Sequence, residues 1–263
     1  MTRHLPLFPP IAHWTAWLLA CVILGVAGPV QAQVTTRLDG QWRHLIGVGA
    51  SVASGNTRTT SVNLSLDSVR ATAEDKWGVT GTALQSRTEG NTAAQRAELK
   101  TQYDRDISPL WFGFGSGSAL HDEAANIQSR LSVASGLGYH LLRNEDGYWN
   151  VSAGLGYSRD RYETPTVIDG ELRRSDGRLE LVLAQESTTH LSDTTRLKQQ
   201  LRLLPNLQES GEYRAEFDAS LSVAINARIS LTAGLTYRYS SDPGEGFSKG
   251  DTLFVTGISL RLD

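Results

Sequence analysis

Residues 149–157 read W-N-V-S-A-G-L-G-Y. Trp149, Val151, Ala153, Leu155 and Tyr157 alternate with Asn150, Ser152, Gly154 and Gly156, a period of two. Successive side chains of a strand point to opposite faces, so this segment has one apolar face and one of small and polar groups. The apolar face begins with Trp and ends with Tyr. Whether the rest of the chain repeats this pattern decides the fold class.

It does. Trp42, His44, Ile46, Val48, Ala50 and Val52 alternate with small and polar residues, as do Val62, Leu64 and Leu66, then Ala97, Leu99, Thr101 and Tyr103, then Leu131, Val133, Leu137 and Tyr139. The same period returns near 178–187, 195–203, 213–223, 229–239 and 252–262, and less cleanly at 76–86 and 110–120. That predicts about 12 strands and essentially no helix. Each strand is about 10 to 13 residues long, more than soluble sheets use and close to a tilted membrane crossing. In a soluble barrel the apolar face points inward; in an outer-membrane barrel it meets lipid and the polar face lines the lumen. The predicted fold is all-β, a transmembrane antiparallel up-and-down β-barrel of about 12 strands.

Residues 1–32 have a different composition. Arg3 and His4 precede an apolar run from Trp14 to Gly28, followed by P-V-Q-A. This is the layout of a secretory signal peptide cleaved between Ala32 and Gln33, leaving 33–263 as the barrel. The run is shorter than the roughly 20 residues a retained anchor needs. Cleavage removes Cys21, the chain's one cysteine, so the mature chain needs no disulfide. It also removes Arg3, leaving 24 basic against 28 acidic residues, four net negative charges. No basic patch suggests nucleic acid.

Connection lengths set the orientation. From a periplasmic N-terminus, the connections after even strands are T-A-E-D, R-D-I-S-P, R-N-E-D-G, T-H-L-S-D and I-N-A-R, all short. Those after odd strands include the longest, 159–177, 204–212 and 240–251, which are expected as outer loops. Pro109, Pro165, Pro205 and Pro243 all fall in these connections, where they break no ladder. Gly55-Asn56-Thr57 and Gly90-Asn91-Thr92 are turn chemistry on the same outer rim, two steps of a hairpin repeat. Trp42, Trp77, Trp111 and Trp149 each start an odd strand and predict an aromatic girdle at the periplasmic rim, joined by Tyr103 and Tyr139. Tyr157, Tyr237 and Tyr239 are expected at the opposite rim.

The S-G-N-T tip at 54–57, the second G-N-T, the repeated Gly-Leu-Gly-Tyr at 136–139 and 154–157, and the signal peptide together resemble the YdiY-like salt-induced outer-membrane proteins, domain of unknown function 481. The resemblance covers roughly Trp42 to the end. It implies an outer-membrane barrel linked to osmotic conditions and supplies no catalytic residues. The C-terminal alternation Val255 to Leu262 is similar to the signal read by the barrel-assembly machinery, but it ends in Leu-Asp where an aromatic is usual.

Two places could carry chemistry. His190-Leu191-Ser192 has the His-x-Ser spacing of a barrel phospholipase, but lies in an expected periplasmic turn without an assignable orienting residue. His121-Asp122-Glu123 could begin a metal or protease site, but no second cluster converges on it. The reading is therefore non-enzymatic, with no cofactor and no metal. The lumen is more informative. Gly113, Gly115, Gly117, Gly136, Gly138, Gly154 and Gly156 are expected on one smooth interior wall. Arg178, Glu180, Arg196, Lys198, Arg202, Arg214, Glu216 and Asp218 are the candidate lumen charges, with Glu216 and Asp218 neutralising part of the basic ladder at 196–202. Twelve strands lie between barrels that side chains fill and barrels that stay open. A narrow pore for small solutes or ions, an envelope-supporting protein, and a closed-lumen barrel that binds partners through its loops all remain open.

Overall fold

The computed structural model describes residues 38–53, 59–88, 91–144, 146–168, 170–244 and 247–262, without side chains for 51–53, 59 and 91–94. The expected signal segment, the first Gly-Asn-Thr tip and Gly90 of the second lie outside the described residues. The strands are β1 Trp42–Ala53, β2 Thr59–Ala71, β3 Asp75–Thr88, β4 Asn91–Asp106, β5 Trp111–Asp122, β6 Ile127–Asn144, β7 Gly147–Ile168, β8 Glu171–His190, β9 Thr195–Pro205, β10 Tyr213–Ala224, β11 Ile229–Ser240 and β12 Gly250–Leu262. Each pairs antiparallel with its sequence neighbours, and β12 closes on β1 through His44↔Leu262 to Val48↔Ile258. The result is a closed 12-stranded barrel with no free edge among the described strands.

The apolar face looks outward. Leu64, Leu99, Val133, Leu155, Leu231 and Ile258 are all exposed, while the polar residues that alternate with them face the lumen. A water-soluble protein would not leave so many large aliphatic side chains uncovered, whereas a bilayer covers them. The four Trp residues lie at one end and are 36–49 % exposed. Trp77 and Tyr103 sit opposite each other in register, as do Trp111 and Tyr139, with ring centroids 6.5 and 5.1 Å apart. Tyr213 and Tyr239 stack 5.4 Å apart at the other end. The first end carries the short turns and the second the longer loops; they are called the turn end and the loop end below.

Three expectations need correction. The segment 159–177 is not an irregular loop: β7 and β8 continue as a paired hairpin as far as Ile168↔Glu171. Between Arg161↔Ser175 and Thr166↔Arg173 the register shifts, so residues 162–165 bulge out of β7. Pro165 therefore sits inside a strand but in its bulge, where its missing N–H costs no ladder bond. Pro205 likewise is the last residue of β9, paired with Tyr213. Third, the glycines do not share a wall. Gly136, Gly138, Gly154 and Gly156 face inward, but Gly113, Gly115 and Gly117 share the outward face of Trp111, and Phe112 and Phe114 are buried on the inward one. The indole at the lipid boundary sets the parity of β5, so its phenylalanines must enter the lumen. Gly138 makes room for them, because a Cβ there would run into the ring of Phe112.

The β7–β8 extension leans over the loop end. Asn126, in the β5–β6 turn with φ 57°, accepts from the Thr164 N–H at 2.9 Å and donates Nδ2 to the Thr164 carbonyl at 2.9 Å. Ile127, Tyr162 and Ile168 form a small buried cluster. Gly244, in the β11–β12 loop at φ +90°, packs so closely on the hairpin that a Cβ there would sit 2.8 Å from Thr166 Oγ1 and 3.3 Å from Ile168 Cδ1. The hairpin thus touches connections on separate sides of the ring and roofs part of the mouth.

Candidate functional site

All eight candidate charges project into the lumen, at three levels. Near the turn end, Lys198 Nζ reaches Asp67 on β2 at 3.3 Å, and Arg196 donates to His190 Nε2 at 2.7 Å. At the middle level, Arg202 lies 3.5 Å from Glu216, its direct register partner. Asp218 pairs with Arg238 at 3.0 Å. Toward the loop end, Arg214 makes a two-pronged pair with Glu180 through Nε at 2.9 Å and Nη2 at 2.7 Å, and Arg178 Nε donates to Asp176 at 2.7 Å. The expected neutralisation of the β9 ladder by Glu216 and Asp218 holds only for Arg202. In the actual register Lys198 and Arg196 face Ser220 and Ser222, so they find partners elsewhere.

The charges that complete the site come from β3, β4, β5, β8 and β11. Lys100 Nζ lies 3.1 Å from Glu98, 3.5 Å from Glu216 and 3.8 Å from Asp218. β4 and β10 are six places apart in either direction round the ring, so Lys100 spans the barrel between opposite walls. Arg238 on β11 closes the same level onto Glu98 at 3.6 Å, and Arg96 joins Glu98 to Asp122 at 3.5 and 2.9 Å. Nearer the turn end, Lys76 crosses from β3 to Glu186 on β8 at 3.4 Å, above the Tyr148 ring at 4.7 Å from its centroid, while the Tyr148 hydroxyl donates to Glu186. A signal for these residues was in the sequence, since Glu98, Lys100, Gln102 and Asp104 occupy the polar face of a cleanly alternating strand. What was missing was the knowledge that β4 faces β10.

Lys100, Glu98, Glu216, Asp218 and Arg238 each have more than one oppositely charged partner, which offsets the desolvation cost of confining them. The level divides the lumen. On its turn side a cavity of about 20 Å³ is lined by Gln102, Phe112, Phe114, Asn150, Glu186 and Arg202. On its loop side a vestibule of about 120 Å³ lies between Arg96, Arg130, Asp160, Tyr162, Arg178 and Arg214.

The two chemical candidates are held in other ways. His190 Nδ1 donates to the Asp146 carbonyl at 2.8 Å, which leaves Nε2 to accept from Arg196, and Ser192 Oγ accepts from the backbone N–H of Thr195 at 3.1 Å. His121 and Asp122 point to opposite faces of β5: His121 bonds the Gln128 carbonyl, and Asp122 pairs with Arg96 inside. Among the described residues no group of three or more His, Cys, Asp or Glu is arranged to hold a metal.

The model of a protein family described as "Protein of unknown function, DUF481" matches residues 46–260. The chain belongs to DUF481. The match runs from β1 into β12, so it covers nearly the whole barrel of this DUF481 chain. No curated protein matches. Among solved structures the chain is similar to the NanC porin, at 12 % identity and TM-score 0.44, covering 82 % of this chain and 97 % of that one. It is similar to the translocator domain of the autotransporter NalP from Neisseria meningitidis at 13 % identity and TM-score 0.46, covering 86 % and 90 %. The KdgM porin follows at 10 % and 0.42, covering 84 % and 99 %.

Proposed function

We propose that this DUF481 chain acts in the outer membrane as a narrow, non-enzymatic pore for ions and small solutes whose passage responds to salt or osmotic conditions. It would reach that membrane by export, removal of residues 1–32 and insertion by the barrel-assembly machinery. The observation that carries the reading is Lys100 bridging to Glu216 and Asp218 on the opposite wall, at 3.5 and 3.8 Å. These are ion pairs rather than packed apolar side chains, and the pairs beside the vestibule are the ones that dissolved ions can reach. Screening shortens the Debye length from about 10 Å at 0.1 M to about 3 Å at 1 M, so raising salt loosens such pairs and widens the path. Single-channel conductance should therefore rise more steeply with salt than bulk conductivity does.

Lys100→Ala tests this directly. It removes the bridge and leaves Glu98, Glu216 and Asp218 lining the constriction. Conductance at about 0.1 M salt should increase several-fold, and the reversal potential in a salt gradient should shift toward cation selectivity, because a charged constriction acts on ions at close range. No conductance from either folded protein would sink the pore reading. The remaining reading would then be a closed-lumen interaction barrel, favoured by the β7–β8 hairpin with its buried Ile127–Tyr162–Ile168 cluster over the mouth.

The orientation has its own test. A protease site inserted after Gly170 should be cut by protease added to intact cells, and one after Asp146 should stay intact until the envelope is opened. Cutting at both sites in intact cells would overturn the assignment of the loop end to the cell exterior.

A further inference from the structure

The part of the vestibule around Arg130, Asp160, Tyr162, Arg178 and Arg214 offers more hydrogen-bond donors than acceptors, while Glu98, Asp122, Glu216, Asp242 and Asp251 line the rest. Asp160 takes Arg130 Nε and Nη2 on its two oxygens, Glu180 takes Arg214 Nε and Nη2, and Asp176 takes Arg173 on one oxygen and Arg178 Nε on the other. These three carboxylates are thus committed, but the guanidiniums they face are not. Arg214 has a side-chain exposure of 6 %, and its Nη1 is buried without a partner. Arg178 is 7 % exposed in its side chain, and Nε to Asp176 is the one side-chain hydrogen bond it makes among the described residues. Arg130 uses Nε and Nη2 and keeps Nη1. Tyr162, which also lines the vestibule, brings a hydroxyl with no hydrogen bond among the described residues.

A guanidinium has five N–H donors and no acceptor, and a planar oxyanion matches its fork. Three such groups from β6, β8 and β10, with a phenol from the β7 bulge, converge on one cavity large enough for a small group. We propose that this vestibule is a binding subsite for a small oxyanion, the carboxylate or phosphate group of an acidic solute. The inference goes beyond the pore reading, because binding here does not require the Lys100 level to open.

The test is isothermal titration of the purified, detergent-folded full barrel with inorganic phosphate and, separately, succinate, at fixed ionic strength with sodium chloride as filler. Wild type should give a saturable heat with at least one probe. Arg178→Gln removes a charged donor and should weaken that binding by about ten-fold or more; Tyr162→Phe removes one neutral donor and should weaken it by about three-fold. Heat-modified gel mobility checks that each variant is folded, and should Arg178→Gln fail that check, Tyr162→Phe decides alone. No saturable heat from either probe, or affinities equal to wild type in the folded variants, overturns the subsite. Conductance enters neither outcome, so failure here and failure of the pore reading can be told apart.

Discussion

Glu180→Gln should lower the unfolding free energy by about 3–5 kcal/mol, because it takes from the buried Arg214 guanidinium the carboxylate that holds it through two hydrogen bonds. The two side chains are 4 and 6 % exposed, and both nitrogens that Arg214 offers to Glu180 lie within 2.9 Å of it. Surface ion pairs contribute little, since water replaces either partner on removal; this pair, at the edge of the vestibule, is largely withdrawn from water. The surroundings sharpen the cost, since Arg130 lies close enough for its charge to act on Arg214. Without Glu180 two guanidiniums would share the remaining Asp160. The double variant Glu180→Leu with Arg214→Leu should recover much of the loss, because no lone charge is left behind. The measurement is the urea midpoint for unfolding from lipid vesicles. A loss below about 1 kcal/mol would mean that vestibule water solvates the pair as it would on a surface.

Leu155→Arg should cost about 2–4 kcal/mol in the same assay, the cost of a charged side chain near the bilayer midplane on the lipid face of a barrel. Leu155 is 57 % exposed in the isolated barrel and lies on the outward face of β7, roughly midway between Trp149 and the exposed Arg159. Lipid is the solvent there, and no neighbouring carboxylate faces it: its register partners are Ser135 and Leu181. The control is Thr82→Arg. Thr82 is exposed to the lumen and sits directly opposite Glu98, so an arginine there gains water and a counter-charge. Equal losses for the two variants would mean that the faces are reversed, with the apolar side chains meeting water.

The aromatic positions explain why so much of the barrel was legible before any coordinates. A strand has two faces, and each in this fold meets a different solvent, lipid outside and polar groups inside, so every strand carries the period of two in its own composition. Trp77 opposite Tyr103 and Trp111 opposite Tyr139 are the same boundary condition seen from two strands each. Connection parity follows as well, because an up-and-down chain must alternate ends. The glycines were misplaced for a local reason: β5 reads W-F-G-F-G-S-G, where large aromatics stand at 111, 112 and 114, and alternation alone does not say which aromatic meets the lipid. Its pairing with β6, which sets Trp111 against Tyr139 at the girdle, decides that. The segment 159–177 was misread because the bulge at 162–165 breaks the alternation that would have marked the hairpin, although the ladder resumes beyond it.

By itself, then, the sequence determined the class, the strand count and the existence of two faces on each strand, since each of these depends on neighbours a few positions away; which face of β5 lines the lumen took its pairing with β6. Which lumen charges meet was decided by the closed tertiary structure alone. Lys100 and Glu216 are six strands apart, as far as the ring allows, and Lys198 is matched to Asp67 rather than to the acids of the adjacent strand. Such pairs depend on the diameter and stagger of the closed barrel, and these are set by all twelve strands together rather than by any one of them.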